Sequence, residues 1–157
     1  MVKLLALFLL VFALAFGGVY WFNEPSKIDA MQPTVPMQTE GTCNPASQGC
    51  QARLNGSLVQ LKFSGEMNPL TPFAVEVDTG NLDVDAVTLD FKMQGMNMGV
   101  NRYRLESDGE GRWHGQVVLP VCTLTRKDWI AGLEVEAQGK RWVAEFGFEL
   151  SASFVSS

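Results

Sequence analysis

The chain has 157 residues, a net charge of −5 and only one histidine. Because the chain is acidic, it has no cluster of basic residues of the kind that binds nucleic acid. It also has no run of basic residues that would bind anionic lipid. The chain also lacks a glycine-rich phosphate loop and a serine or cysteine at a motif spacing from the histidine, and a lone histidine limits acid–base catalysis. We therefore expect a protein that is not an enzyme and has no nucleic-acid partner.

The first segment of the chain is strongly apolar. Residues 4–22, LLALFLLVFALAFGGVYWF, contain no charge. As a helix this segment would be about 29 Å long, which matches the roughly 30 Å hydrocarbon core of a membrane. Residues 1–22 are therefore predicted to be an N-terminal transmembrane helix that anchors the protein. A signal peptide cleaved after the A-x-A pattern at Ala13–Ala15 is the alternative.

The charges that flank this segment predict its orientation. Lys3 and the α-amino group precede the apolar run, and Glu24 is the first charge after it. Because positive charges tend to stay on the cytoplasmic side, residues 23–157 are expected outside the cytoplasm.

Residues 23–50 are predicted to be a proline-rich linker followed by a cysteine loop. Residues 23–42, NEPSKIDAMQPTVPMQTEGT, are mostly polar and contain three prolines, a composition that buries too little apolar surface to fold. Cys43 and Cys50 flank the turn-rich sequence NPASQG. In an oxidising compartment these two pair with each other, or one of them pairs with Cys122. The sequence leaves both alternatives open.

Residues 51–157 are predicted to form an all-β domain. Apolar and polar residues alternate in short runs, as in SLVQLKF, where Val59, Leu61 and Phe63 share one face. About seven such runs at regular spacing, separated by turn residues, are typical of a β-sandwich. The runs cover residues 57–63, 73–77, 87–93, 103–105, 113–119, 129–135 and 142–150.

One hairpin of this domain has a predicted register. The segments NRYRLES and GRWHGQVVL flank the loop DGE, and three residues including a glycine is a common hairpin length. Pairing Ser107 with Gly111 places Trp113 opposite Leu105, so that apolar side chains meet on one face. A slip of one residue would place Trp113 against Glu106.

Three methionines lie close together in residues 91–99, FKMQGMNMG. Thioethers are soft ligands, and the metal that suits them outside the cytoplasm is Cu(I). Met93 has the parity of the core-facing residues before it, whereas Gly95 interrupts the alternation, so that Met96 and Met98 share one parity and are predicted to project together. The alternative is that these flexible side chains fill an irregular gap where the strand ends.

His114 is the only histidine and therefore the candidate for a third ligand. The predicted register places it opposite Arg104, whose charge disfavours a nearby cation. A solvated surface histidine is the alternative.

The motifs GMNMG, YRLESDGEGRWHGQVVLP and KRWVAEFGFEL resemble those of the YtkA-like and FixH-like families, over about residues 57–150. The resemblance implies an immunoglobulin-like sandwich, anchored to or exported across a bacterial membrane, that takes part in copper handling or in the assembly of respiratory oxidases. By position, Met93, Met96 and Met98 match the methionine-containing strand end of those families.

These observations together lead to one expected function and one alternative. We expect a single-pass protein of the bacterial inner membrane, with its C-terminal domain in the periplasm, that binds or delivers Cu(I). Its expected partner is a copper-handling protein or a respiratory oxidase. The alternative is an interaction module of a membrane complex that binds no metal and whose methionines serve packing.

Overall fold

A computed structural model of the chain describes residues 32–41, 43–96, 99–120 and 127–150. These residues contain eleven β-strands and no helix. The strands are β1 (Thr34–Pro36), β2 (Gln38–Thr39), β3 (Cys50–Leu54), β4 (Ser57–Ser64), β5 (Pro72–Asp78), β6 (Ala86–Lys92), β7 (Arg102–Arg104), β8 (Glu106–Ser107), β9 (Arg112–Val118), β10 (Asp128–Ala137) and β11 (Lys140–Glu149).

The strands form two sheets. The first sheet has the order β1-β11-β10-β6-β7, and the second has the order β2-β3-β4-β5-β9-β8. Neighbouring strands are antiparallel except for β1 and β11, which are parallel. The predicted all-β class is therefore confirmed, and the arrangement is that of a β-sandwich.

The core lies between the two sheets because alternate residues of each strand point inward. Phe63 and Phe73 of the second sheet contact Phe91 of the first sheet, with ring centroids 5.9 Å apart in both pairs. Phe63 also meets Phe148 of β11 edge to face at 5.4 Å. Such aromatic pairs stabilise a core beyond the area that they bury, and here they join the two sheets.

The structure corrects the predicted register of the hairpin by two residues. Ser107 pairs with Trp113 rather than with Gly111. The carbonyl of Gly111 instead accepts hydrogen bonds from the backbone and the hydroxyl of Thr79, so that Gly111 is held by the loop that follows β5. Because a shift of two residues keeps the same side chains inward, Leu105 and Trp113 are both buried, as the alternation predicted.

The sandwich begins earlier than the sequence predicted. Part of the expected linker and cysteine loop, residues 23–50, forms strands: β1 pairs with β11, β2 pairs with β3, and β3 begins at Cys50. Met37, between β1 and β2, is buried in the core. Strands of two or three residues carry no alternation that a sequence pattern could reveal, and Pro36 is tolerated because β1 lies at a sheet edge.

The predicted membrane anchor, residues 1–22, lies outside the described residues. Within residues 32–41, 43–96, 99–120 and 127–150, the structure has no helix long and apolar enough to cross a membrane.

Candidate functional site

The methionine cluster begins with a tight turn at the end of β6. The N–H of Met96 donates a hydrogen bond to the carbonyl of Met93 at 3.2 Å. Gly95 has a φ of 77°, as a residue in the third position of a type II turn requires and glycine readily adopts. The structure therefore brings Met93 and Met96 to the two ends of one turn, which we call the methionine turn (residues 93–96).

The two methionines of this turn differ in their exposure to solvent. Met93 is 2% exposed and belongs to the hydrophobic core, as its parity predicted. Met96 is half-buried and packs against the same core. Met98 lies outside the described residues. Because Met93 is closed to solvent, it is not an accessible ligand, whereas Met96 combines a core contact with an exposed part.

His114 lies on β9 and faces outward from the second sheet, where it is exposed. Its cross-strand neighbours are Glu76 on β5 and Glu106 on β8. The predicted pairing with Arg104 is wrong, because Arg104 pairs with Thr88 in the other sheet. The methionine turn follows β6 of the first sheet, so the structure does not bring His114 to Met93 or Met96. No group of three or more His, Cys, Asp or Glu side chains arranged to hold a metal ion occurs among the described residues.

A groove of about 650 Å³ lies beside the methionine turn, on the first sheet. Gln94 of the turn and the buried Trp129 line it, and Gly147 leaves its wall without a side chain. The indole N–H of Trp129 has no hydrogen-bond partner in the part of the chain that the structure describes. Sequence reasoning missed this groove because its lining comes from separate segments of the chain. The lining residues are Asn44, Gln94, Asp128, Trp129, Ile130, Glu145, Gly147, Phe148 and Glu149.

The outer face of the first sheet carries paired charges. Lys92 forms an ion pair with Glu145 and donates a hydrogen bond to its carboxylate. This hydrogen bond raises the pKa of Lys92. Glu134 forms ion pairs with Arg102 and Arg141. Lys92, Arg102 and Arg141 are thus held by glutamates of β10 and β11.

One carboxyl of this face has an unfavourable environment for its charge. Asp90 lies over Gly132, close enough that a Cβ added to the glycine would be 2.3 Å from Oδ1 of Asp90. Burial raises the pKa of Asp90, while the charges of Lys92 and Arg102 act to lower it. The burial of Asp90 therefore outweighs the effect of the nearby cations.

The disulfide joins Cys43 to Cys50, with the two Cα atoms 5.3 Å apart. This is the first of the two pairings that the sequence left open, in which Cys43 and Cys50 bond to each other. Cys122 lies outside the described residues. The loop between them is tied to β4, because the N–H of Phe63 donates to the carbonyl of Pro45 at 2.9 Å. Asn44 of this loop lines the groove.

Comparison with models of protein families, with curated proteins and with solved structures finds no match to this chain. The resemblance to the YtkA-like and FixH-like families therefore stays a prediction from short motifs. The function must be argued from the residues of the site themselves.

Proposed function

We propose that this protein is a membrane-anchored, extracytoplasmic β-sandwich of the immunoglobulin-like type that binds or delivers Cu(I) through its methionine turn. The observation that carries the proposal is the position of Met96. Met96 lies half-buried at the end of a tight turn, and Met98 follows it two residues later in the sequence. Two soft thioethers are ligands that suit Cu(I).

The proposed compartment is supported by the disulfide and by the N-terminal sequence. A Cys43–Cys50 bond is typical of proteins that fold outside the reducing cytoplasm. Residues 4–22 have the length and composition of a membrane span, and Lys3 precedes them, which favours an external C-terminal domain. We place the protein in the bacterial inner membrane, with its sandwich in the periplasm and a copper-handling protein or respiratory oxidase as its partner.

The methionines of the cluster have different proposed roles. Met96 and Met98 are the proposed ligands. Met93, as part of the core, holds the turn in place by packing, and His114 is left out because it faces outward from the other sheet. Thioethers are neutral ligands, so two of them hold the metal without adding charge, which suits a carrier that must release its ion.

The test is the stoichiometry of Cu(I) binding by the full chain in nonionic detergent, measured without oxygen against a competing chelator. All variants carry Cys122→Ser, because a thiolate would itself bind Cu(I). We expect the double variant Met96→Leu, Met98→Leu to lose one equivalent of bound Cu(I). Met67→Leu is the matched control, because Met67 is also half-buried against the core but lies in the loop between β4 and β5.

The outcomes separate the ligands from the packing residues. Met93→Leu and Met67→Leu should keep the stoichiometry of the Cys122→Ser parent, since Leu for Met is a volume-conserving change that costs less than about 1.5 kcal/mol. If the Met96, Met98 variant binds as much Cu(I) as the Met67 variant, the proposal is wrong.

A second candidate function is an interaction module that binds no metal. Its support is that both methionines of the turn contact the hydrophobic core, so that packing alone accounts for them. Crosslinking in membranes distinguishes the two candidates. A chain with Met96 and Met98 replaced that keeps its partners, while the wild type binds no Cu(I), would favour this second function.

A further inference from the structure

Strand β11 lies beside β1 for only part of its length. β1 pairs with Arg141, Trp142 and Val143. Among the described residues, the last backbone hydrogen bond on this side joins the N–H of Met37 to the carbonyl of Val143 at 2.7 Å. After this point the chain leaves for β2 in the second sheet. The remainder of β11, up to Glu149, has no neighbouring strand on this side among the described residues. We call this part, residues 145–149, the open edge.

The backbone groups of the open edge point away from the sheet. The N–H of Arg141 and the carbonyl of Val143 both bond toward the β1 side, and this direction repeats at every second residue of a strand. Glu145, Gly147 and Glu149 therefore present their N–H and C=O groups on the same side. None of these groups has a hydrogen-bond partner within the described ranges, and all three residues are exposed.

We propose that the open edge is a docking site for an extended, basic segment of another protein, which adds to the first sheet as a strand. Five residues offer a template roughly 17 Å long, within the usual range of strand lengths. Main-chain hydrogen bonds to an exposed sheet edge are an established mode of peptide recognition. The inference does not depend on Cu(I) binding, since it rests on backbone groups of β11 and on the charges around them.

The charge around the open edge favours a basic partner. Glu145 and Glu149 project outward on either side of Gly147, and Asp128 lines the same groove. No lysine or arginine is among the residues that line this groove, although Lys92 of β6 pairs with Glu145 from outside it. A strand with basic residues on its outward face would place them beside these carboxylates, which stabilises cross-strand pairing. Gly147 leaves room for them, because an added Cβ there would meet no atom within 4 Å.

The same charges disfavour a second copy of this chain as the occupant. Antiparallel pairing of two open edges about Gly147 would place Glu145 of each copy opposite Glu149 of the other. Like charges directly opposite each other destabilise a strand pair. Charged side chains at a sheet edge are a common protection against self-association, so the expected partner is a different protein of opposite charge.

The first experiment uses the full chain in nonionic detergent and a fluorescein-labelled peptide of nine alternating lysine and valine residues. The control peptide has the same composition with its lysines and valines in separate blocks. Fluorescence anisotropy measures binding, and amide hydrogen exchange reports where it occurs. We expect the alternating peptide to bind more tightly, and to slow exchange at Glu145, Gly147 and Glu149.

Variants at Gly147 test the backbone contacts. Gly147→Pro removes an N–H that the fold does not use, at an edge position where proline is tolerated. The proline also blocks the approach of a strand. We therefore expect at least about tenfold weaker binding of the alternating peptide. Gly147→Ala keeps the N–H and fits the open space, so its affinity should stay within about threefold of the wild type.

Variants of the glutamates test the charge. The double variant Glu145→Gln, Glu149→Gln should bind about tenfold more weakly and with less dependence on salt. If Gly147→Pro fails to fold by circular dichroism, Glu145→Lys with Glu149→Lys replaces it, and this variant should prefer a peptide in which glutamate takes the place of lysine.

Four results would overturn the proposal. The first is that the block peptide binds as tightly as the alternating peptide, and the second is that the proline and alanine variants of Gly147 bind with equal affinity. The third is binding that does not slow amide exchange at Glu145, Gly147 and Glu149. The fourth is protection of these amides by dimerisation of the chain alone, without peptide. The last result would identify a second copy as the occupant.

Discussion

Gly111 joins the start of β9 to the loop that follows β5, and its replacement by alanine tests this contact. Gly111 has a φ of 77°, and a Cβ added to it would lie 2.0 Å from the carbonyl oxygen of Gly80. Its own carbonyl accepts hydrogen bonds from N–H and Oγ1 of Thr79 at 2.8 and 2.9 Å, and Thr79 is only 1% exposed. Gly111→Ala must therefore move one backbone segment away from another.

The expected loss of stability has two parts. A side chain at a left-handed φ costs about 1–2 kcal/mol. Moving Gly111 away leaves the buried donors of Thr79 without their acceptor, which costs about 1–3 kcal/mol more. Gly109→Ala is the matched control, because Gly109 has a φ of 86° but no atom within 4 Å of an added Cβ. Gly109→Ala therefore carries only the first cost.

Urea unfolding followed by tryptophan fluorescence measures both variants, since Trp113 lies buried two residues from Gly111. The effect of the added methyl group on the unfolded chain is the same in both variants and cancels in the comparison. We expect Gly111→Ala to lose about 1–3 kcal/mol more than Gly109→Ala. Losses that agree within about 0.5 kcal/mol, a typical effect of a surface substitution, would refute the reasoning.

Three further variants have expected outcomes. Tyr103→Phe should cost about 1–3 kcal/mol in urea unfolding, because the Tyr103 hydroxyl donates to the carbonyl of Val118 at 2.7 Å and accepts from its N–H at 3.3 Å. Replacing Cys43 and Cys50 by alanine should lower the free energy of unfolding by about 2–3 kcal/mol, the effect of a short closed loop. In this variant, reductant should no longer shift the melting temperature through this bond. Asp90→Asn should raise the melting temperature at pH 7, because burial raises the pKa of Asp90 and disfavours its ionised form. This advantage should shrink as the pH falls through the folded-state pKa, and vanish below the ordinary value of 3.8, where both side chains are neutral.

Controls separate these effects from general damage to the fold. Thr88→Ser changes another side chain of β6 without removing its hydroxyl, so its melting temperature should not follow the pH dependence of the Asp90 variant. An Asp90→Asn difference that stays constant from pH 7 to pH 3 would contradict the assigned cause. A Tyr103→Phe variant as stable as the wild type would mean that water replaces the hydroxyl at Val118.

Much of the strand pattern was predictable because alternation is a local property of the sequence. The seven predicted runs correspond to β4, β5, β6, β7, β9, β10 and β11. The inward position of Met93 followed from the same parity. β1, β2 and β8 were not predictable, because they are too short to carry a pattern of their own and depend on the partners with which they pair. The predicted runs also leave out β3, which begins in the segment expected to be the cysteine loop.

The candidate site was predictable only in part. The sequence identified the methionine cluster and the interruption of the strand at Gly95, since both depend on neighbouring residues. It placed His114 beside Arg104, although the structure places it between Glu76 and Glu106. The chain crosses from one sheet to the other at Leu105, and no local pattern revealed this crossing.

The sequence by itself determined the alternation that makes an all-β domain, the apolar character of residues 4–22 and the grouping of three methionines, because these depend on residue type and spacing. Only the tertiary structure decided that Met96 is half-buried against the core, that Cys43 bonds to Cys50, and that β1 pairs with only the first part of β11. Each of these depends on contacts between segments that are distant in sequence, or on where one chain segment stops beside another, and residue order alone does not specify such contacts.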